Sequence, residues 1–398
     1  MRKGEGIMKK ILFLPLMQIR SGHHQVAEAL MDTLKKDMDD IVLEKIDILS
    51  YSNEPLEKLI SSGYLKWIRY APNTYNLAYK KFFYLPSSKE YTFKWYHHFF
   101  LRKMEQLLTE KKPDLIICTH GFPSYILSHL KTMGKCNIPI INAYTDFFMN
   151  SFWGREGIDV HFLPSQEAKE ELLRKYKVPR QKMIVTGIPV HEEITKKEKL
   201  KLQKYKPKIL ISGGNNGLGS IMNLVEDLKD ASQSDFIVLC GKNKKMYQEI
   251  LSWRLDHIKP LPYISSRIEM NKLYEKADAI ITKPGGVTIS EVLKKRLPIF
   301  IHSVLPGQEK INLKYLKNKG LVFELDKGLP FEKQLLSILK NPKEMQLWRK
   351  SIKSYLNEIE IDETKSIAEI INWILEKETQ NVSSLLTDSK RRIVLAKA

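Results

Sequence analysis

Short apolar runs alternate with helix-period segments along most of this chain, and that alternation limits the folds open to it more than any other feature. Residues 11–17 read as a buried strand, and residues 25–34 as a helix with Val26, Ala29, Leu30 and Leu34 on one face. Segments 41–46, 114–118, 139–144, 160–163 and 183–185 continue the strand series. Strands that are apolar throughout are buried on both faces, as in a parallel sheet covered by helices. A charged segment, 192–206, breaks the pattern, and 208–211, 236–239, 279–282 and 298–301 form a second series. The end is helical again over 341–356 and 362–376. The expectation is an α/β protein with two doubly wound, Rossmann-like domains. Residues 1–191 form the first, 192–207 a linker and 208–342 the second, with helices over 343–378 and a basic tail at 379–398. A length of 398 residues suffices for two cores. In doubly wound folds ligands sit at the C-terminal ends of strands, so the loops there carry the functional candidates.

Bulk properties narrow the setting. Cys118, Cys136 and Cys240 are scattered without metal or redox spacing, which fits a reducing interior. The apolar run behind Lys9 and Lys10 is too short for a signal peptide, contains Pro15 and lacks a small-residue cleavage site. No stretch approaches the ~20 apolar residues that span a bilayer. Lys and Arg number 65 against 46 Asp and Glu, a net charge of +19. That surplus suits a polyanionic partner, either nucleic acid or an anionic membrane face, or is simply a lysine-rich composition.

The second series carries a strand–turn–helix signal at Ile281-Thr282-Lys283-Pro284-Gly285-Gly286-Val287-Thr288-Ile289-Ser290-Glu291. Glycines at the turn permit close backbone approach, and the helix N-terminus that follows favours an anion such as phosphate. Glu291, a turn further on, suits hydrogen bonds from ribose hydroxyls; the same residues also suit a purely structural αβ turn. Gly213-Gly214-Asn215-Asn216-Gly217-Leu218-Gly219 reads as a general phosphate cradle rather than a dinucleotide fingerprint, because no acid ends the next strand. Gln308 and Glu309 place an amide beside a carboxylate, a pair able to grip adjacent sugar hydroxyls.

In the first series, Ser21-Gly22-His23-His24 follows the first strand. A histidine there, with an ordinary pKa of ~6.5, suits a base that accepts a hydroxyl proton, or else a helix cap. Thr119-His120 and Thr145-Asp146 end further strands. Between 64 and 103 aromatic residues (Trp67, Phe82, Phe83 and Trp95 among them) interleave with Arg69, Lys80, Lys81 and other basic residues. Rings with basic flanks suit lipid headgroups; they also suit single-stranded nucleic acid or a pair of aromatic core helices.

These motifs, taken in order, resemble glycosyltransferase family 28, and within it the diacylglycerol glucosyltransferase and monogalactosyldiacylglycerol synthase branch. Gly213–Gly219, Cys240-Gly241-Lys242-Asn243, the loop 283–291 and Pro306-Gly307-Gln308-Glu309 look like its donor half. Ser21-Gly22-His23, Thr145-Asp146 with Trp153, Pro164-Ser165 and Val185-Thr186-Gly187-Ile188-Pro189 look like its acceptor half. The resemblance covers roughly residues 9–325. It implies a GT-B fold, two domains facing a cleft with a last helix crossing back to the N-terminal domain. It also implies inverting, metal-independent transfer of glucose or galactose from a UDP-sugar to diacylglycerol or a glycosyl-diacylglycerol, with no cofactor.

By the same resemblance His23 is the catalytic histidine, with Asp146 assisting. Tyr263 and Ile264 flank uracil, Glu291 holds the ribose, and Gly286 and Thr288 approach the diphosphate. Gln308 and Glu309 hold the sugar, while Gly22, Gly213, Gly214, Asn215 and Gly285 give the donor room. The basic aromatic stretch would then dock on the anionic cytoplasmic face of the membrane, with no nucleic-acid partner. Arg20-Ser21-Gly22 stands where some relatives carry a run of glycines, which restricts backbone approach in the first loop. The alternatives are another acceptor, such as a peptidoglycan lipid precursor or a soluble aglycone, or a UDP-sugar-binding protein without turnover.

Overall fold

The computed structural model describes residues 8–18, 21–79, 81, 94–194, 206–213, 221–305, 307–361 and 366–376. The chain divides into two compact units, residues 1–191 with 358–398, and residues 192–357.

The first unit is built on six parallel strands: β1 (Lys9–Leu14), β2 (Ile41–Lys45), β3 (Leu115–Cys118), β4 (Ile140–Ala143), β5 (Val160–Leu163) and β6 (Met183–Val185). They pair in the order β2-β1-β3-β4-β5-β6. All residues of β3, β4 and β5 are buried, as a sheet covered on both faces requires. Strand order reverses between β1 and β3, and the loops after both open at that switch point. The first strand ends at Leu14, three residues earlier than its apolar run suggests, because Pro15 cannot donate to the ladder and Met17 turns left-handed at φ 63°. The helix that follows spans Gly22–Asp37, so His23 lies inside its first turn rather than before it.

One close approach shapes the loop after β4. A Cβ on Gly154 would stand 2.5 Å from the Ser124 carbonyl oxygen, and the Gly154 amide instead donates to Ser124 Oγ at 3.0 Å. The returning chain is held at β6. Glu360 takes hydrogen bonds from Lys169 Nζ at 2.6 and 2.8 Å and from the Val185 amide at 2.8 Å. Its own amide donates to the Val185 carbonyl at 2.7 Å. The last helix, Ile367–Glu376, then packs on Gly22–Asp37 within this unit. The helix before it, Pro342–Asn357, belongs to the second unit.

The second unit has β7 (Lys208–Ser212), β8 (Asp235–Leu239), β9 (Ile258–Leu261), β10 (Ala279–Thr282), β11 (Ile299–Ile301) and β12 (Phe323–Glu324). They are parallel and ordered β12-β11-β10-β7-β8-β9, the doubly wound nucleotide-binding arrangement with its switch point between β7 and β10. Two of these strands escaped the sequence reading. β9 contains Lys259 and Pro260 and survives because it lies at a sheet edge, where a missing N–H is tolerated. β12 is only two residues long.

Candidate active site

In the first unit the loops after β1, β3 and β4 bring His23, Thr119, His120, Thr145 and Asp146 to the switch point. The Nδ1 of half-buried His23 lies 2.9 Å from the Thr119 carbonyl oxygen and 2.9 Å from Thr145 Oγ1. A carbonyl can only accept, so Nδ1 carries the proton and Nε2 is left with a lone pair. That is the tautomer a general base needs, fixed by backbone geometry. Burial lowers the His23 pKa below the ordinary histidine value; the charge of Asp146 and the bond to Thr119 act in the opposite sense. Gly22 is the first residue of the same helix, whose cap residue Ser21 offers no side-chain bond to the amides above it. His120 stands edge-on to His23, with ring centroids 4.5 Å apart. Of the residues near His23, the sequence names Thr119 and His120 only as strand-end positions, and Thr145 as a strand end and part of a family-like motif.

The aromatic stretch divides. Tyr75, Tyr79 and Phe100 are buried and serve as core. Leu59, Trp67, Tyr70 and Leu77, on the helices Glu54–Tyr70 and Pro72–Tyr79, are exposed, as is Lys81. Arg69 and Trp95 lie in helices, and Lys80, Phe82 and Phe83 lie outside the described residues. No helix among the described residues is long and apolar enough to cross a membrane.

In the second unit the loops after β7 and β10 flank the switch point, and the loops after β9 and β11 lie beyond them on either side. Gly213 follows the end of β7 in a buried position; Gly214 and Asn215 lie outside the described residues. Gly285 caps the helix Gly286–Lys295 without a side-chain bond, and a Cβ built on it meets nothing within 4 Å. Uncapped amides beside open space are groups of the kind an anion satisfies. Thr288 sits half-buried in the first turn.

Glu291, almost fully buried, accepts a 2.8 Å hydrogen bond from Tyr274 on Oε2. Burial raises its carboxyl pKa, and the Tyr274 bond draws it back down. Lys283 is buried at the same turn; desolvation lowers its pKa and the nearby Glu309 carboxylate opposes that. Glu309 accepts from the Leu305 amide at 2.6 Å. Gly307, at φ 88° and ψ −120°, makes the turn that starts Gln308–Asn318, a conformation open only to glycine. Tyr263 and Ile264 follow β9 and are half-buried. Tyr274 and Lys283 were missed as site residues; a lysine between a strand end and Pro284-Gly285-Gly286 was the available signal for the second. Among the described residues no group of three or more His, Cys, Asp or Glu side chains is placed to hold a metal ion.

Comparison with known proteins places the chain in a family and a fold. The sequence profile of monogalactosyldiacylglycerol (MGDG) synthase matches residues 23–190. An uncharacterized glycosyltransferase, YkoN of Bacillus subtilis (strain 168), is 40% identical over 372 residues, covering 92% of this chain and 98% of the relative. A processive diacylglycerol beta-glucosyltransferase of Bacillus cereus (strain B4264) is 30% identical over 312 residues, 75% of this chain and 78% of that one. In fold the chain is similar to MurG of Acinetobacter baumannii, with a TM-score of 0.58 at 14% identity over 92% of this chain and 98% of MurG. It is similarly close to Phytolacca americana UGT2, with a TM-score of 0.57 at 12% identity over 94% and 99%. Two six-stranded doubly wound units with these neighbours make the fold GT-B. With its sequence relatives spanning both units, the chain belongs to glycosyltransferase family 28, in the diacylglycerol glucosyltransferase and MGDG synthase branch.

Proposed function

We propose that this enzyme transfers glucose or galactose from a UDP-sugar to the free hydroxyl of diacylglycerol or a glycosyl-diacylglycerol, with inversion at the anomeric carbon. The observation that carries the reading is the committed Nδ1 of His23, which leaves Nε2 as the proton acceptor. In the step proposed, the acceptor's O–H proton passes to Nε2 while its oxygen attacks the anomeric carbon. The bond from that carbon to the β-phosphate oxygen breaks, and UDP leaves with the electron pair. Asp146 supports the imidazolium that forms.

On the donor side, the order of loops suits a nucleotide sugar laid along the sheet edge. Tyr263 and Ile264 meet the base, Glu291 the ribose, and Gly285, Gly286 and Thr288 the diphosphate; Gln308 and Glu309 meet the sugar. Fixed amides and the buried Lys283 ammonium stabilise the departing charge, so no metal is needed. The named activity of the Bacillus cereus relative supports both the hexose and the lipid acceptor.

The exposed Leu59, Trp67, Tyr70 and Leu77, together with nearby exposed Lys58 and Lys66, would hold the enzyme peripherally on the anionic cytoplasmic leaflet. Binding to anionic but not neutral vesicles, weakening with salt, is the expected result; equal binding to both would refute it. The activity is tested by UDP release from UDP-glucose and UDP-galactose, each with and without diacylglycerol in anionic micelles, with lipid products resolved by mass. A diacylglycerol-dependent hexosyl lipid supports the reading and names the donor. UDP-sugar binding without lipid product would move the search to other acceptors.

A further inference from the structure

His120 is occupied by the fold at one ring nitrogen only. Its Nδ1 accepts the Phe122 amide at 3.0 Å and so caps the helix Gly121–Thr132. An imidazole nitrogen that accepts an N–H has no proton of its own, so in the neutral ring the proton sits on Nε2. Burial together with the neighbouring His23 and His24 pushes the His120 pKa well down, which keeps the ring neutral. The cap therefore turns Nε2 into a fixed hydrogen-bond donor, and no bond from it is formed among the described residues. The edge-on contact, with centroids 4.5 Å apart, sets this ring against an imidazole whose Nε2 makes no bond among the described residues.

Two adjacent histidines thus present opposite polarity, one acceptor and one donor, each locked by a bond on the far side of its ring. A diacylglycerol headgroup has the matching pattern. Its hydroxyl is its single donor, and its remaining polar groups are ester oxygens that only accept, the nearest a few bonds from the hydroxyl. We propose that His120 Nε2–H binds an ester carbonyl of the acceptor while His23 takes the hydroxyl proton, making His120 a determinant of specificity for ester-linked lipid. This rests on the acceptor reading above and adds to it the atom by which the lipid is recognised.

The test compares kcat/KM for a 1,2-diacylglycerol and the 1,2-dialkylglycerol of equal chain length, which keeps the hydroxyl and lacks the carbonyls. A neutral hydrogen bond gained at the site corresponds to a preference of about five- to tenfold for the ester lipid in the wild-type enzyme. His120→Asn retains a good helix cap and removes the Nε2–H, and the ester-to-ether ratio should collapse to near one. Loss on both acceptors in proportion, with the ratio kept, would show that His120 serves only the fold. The wild-type ratio tests the idea even if the variant does not fold, since equal use of both lipids overturns it. Absence of hexosyl lipid from either acceptor with the wild-type enzyme would instead remove the acceptor reading, and this inference with it.

Discussion

Tyr274→Phe probes the donor site with little change of shape. The hydroxyl donates to Glu291 Oε2 at 2.8 Å from a fully buried ring, and Glu291 itself is 9% exposed, so water cannot replace the bond freely. Hydrogen bonds to charged groups contribute roughly 1.5–3 kcal/mol, and phenylalanine fills the same volume, so the loss should fall in that range without a cavity term. Burial already holds the Glu291 carboxyl above its ordinary pKa, and the tyrosine bond offsets part of that. Removing the bond raises the pKa further. A carboxylate that must be ionised to accept two ribose hydroxyls then fails at a higher pH as the solution is acidified.

Calorimetric titration with UDP should show affinity reduced by about tenfold or more, 1.4 kcal/mol being a factor of ten. The acid limb of binding should shift upward in pH. The 2′,3′-dideoxy analogue, which offers Glu291 nothing, should bind wild type and variant alike. Equal weakening for both ligands would mean that Tyr274 acts through the fold, and unchanged UDP affinity would refute the role given to Glu291.

Other outcomes follow from the same geometry. His23→Ala should lower kcat by roughly 10²-fold or more, the scale of a lost acid–base group; near-full turnover from a folded variant would remove His23 from the role of base. Asp146→Asn removes a charge that raises the His23 pKa, so the acid limb of the kcat/KM profile should move to lower pH, and an upward shift would contradict the assignment. Gly285→Ala meets no atom in the fold and sits at an ordinary φ of −81°, so the melting temperature should hold while UDP affinity falls; retained affinity would place the diphosphate elsewhere. Glu360→Ala strips the bonds that tie the returning chain to β6 and leaves the largely buried Lys169 ammonium unpaired. A loss of about 2 kcal/mol is expected, less than for a fully buried pair because Glu360 is partly exposed. It should appear as earlier proteolysis of the C-terminal segment.

The strand series was readable because parallel strands are buried on both faces, and continuous apolar runs such as Leu115–Cys118 and Ala279–Thr282 have few other uses. The edge strand Ile258–Leu261 was not, since its Lys259 and Pro260 are tolerated only where one side of the ladder is open. Glycine-rich turns were likewise visible, because the demand for close approach is local and leaves a local mark at Gly213 and Gly285. The site's electrostatics left no such mark. His23 is oriented by Thr119 and Thr145, 96 and 122 residues away, and Glu291 by Tyr274 on the preceding helix. Sequence alone marked the strands and the loops after them as ligand candidates, since strand runs and turn chemistry follow from short-range pattern. Which nitrogen of His23 is free, which oxygen of Glu291 is held and how Lys283 is buried were decided only when the sheets formed, because hydrogen-bond geometry depends on atoms that parallel packing brings together across the chain.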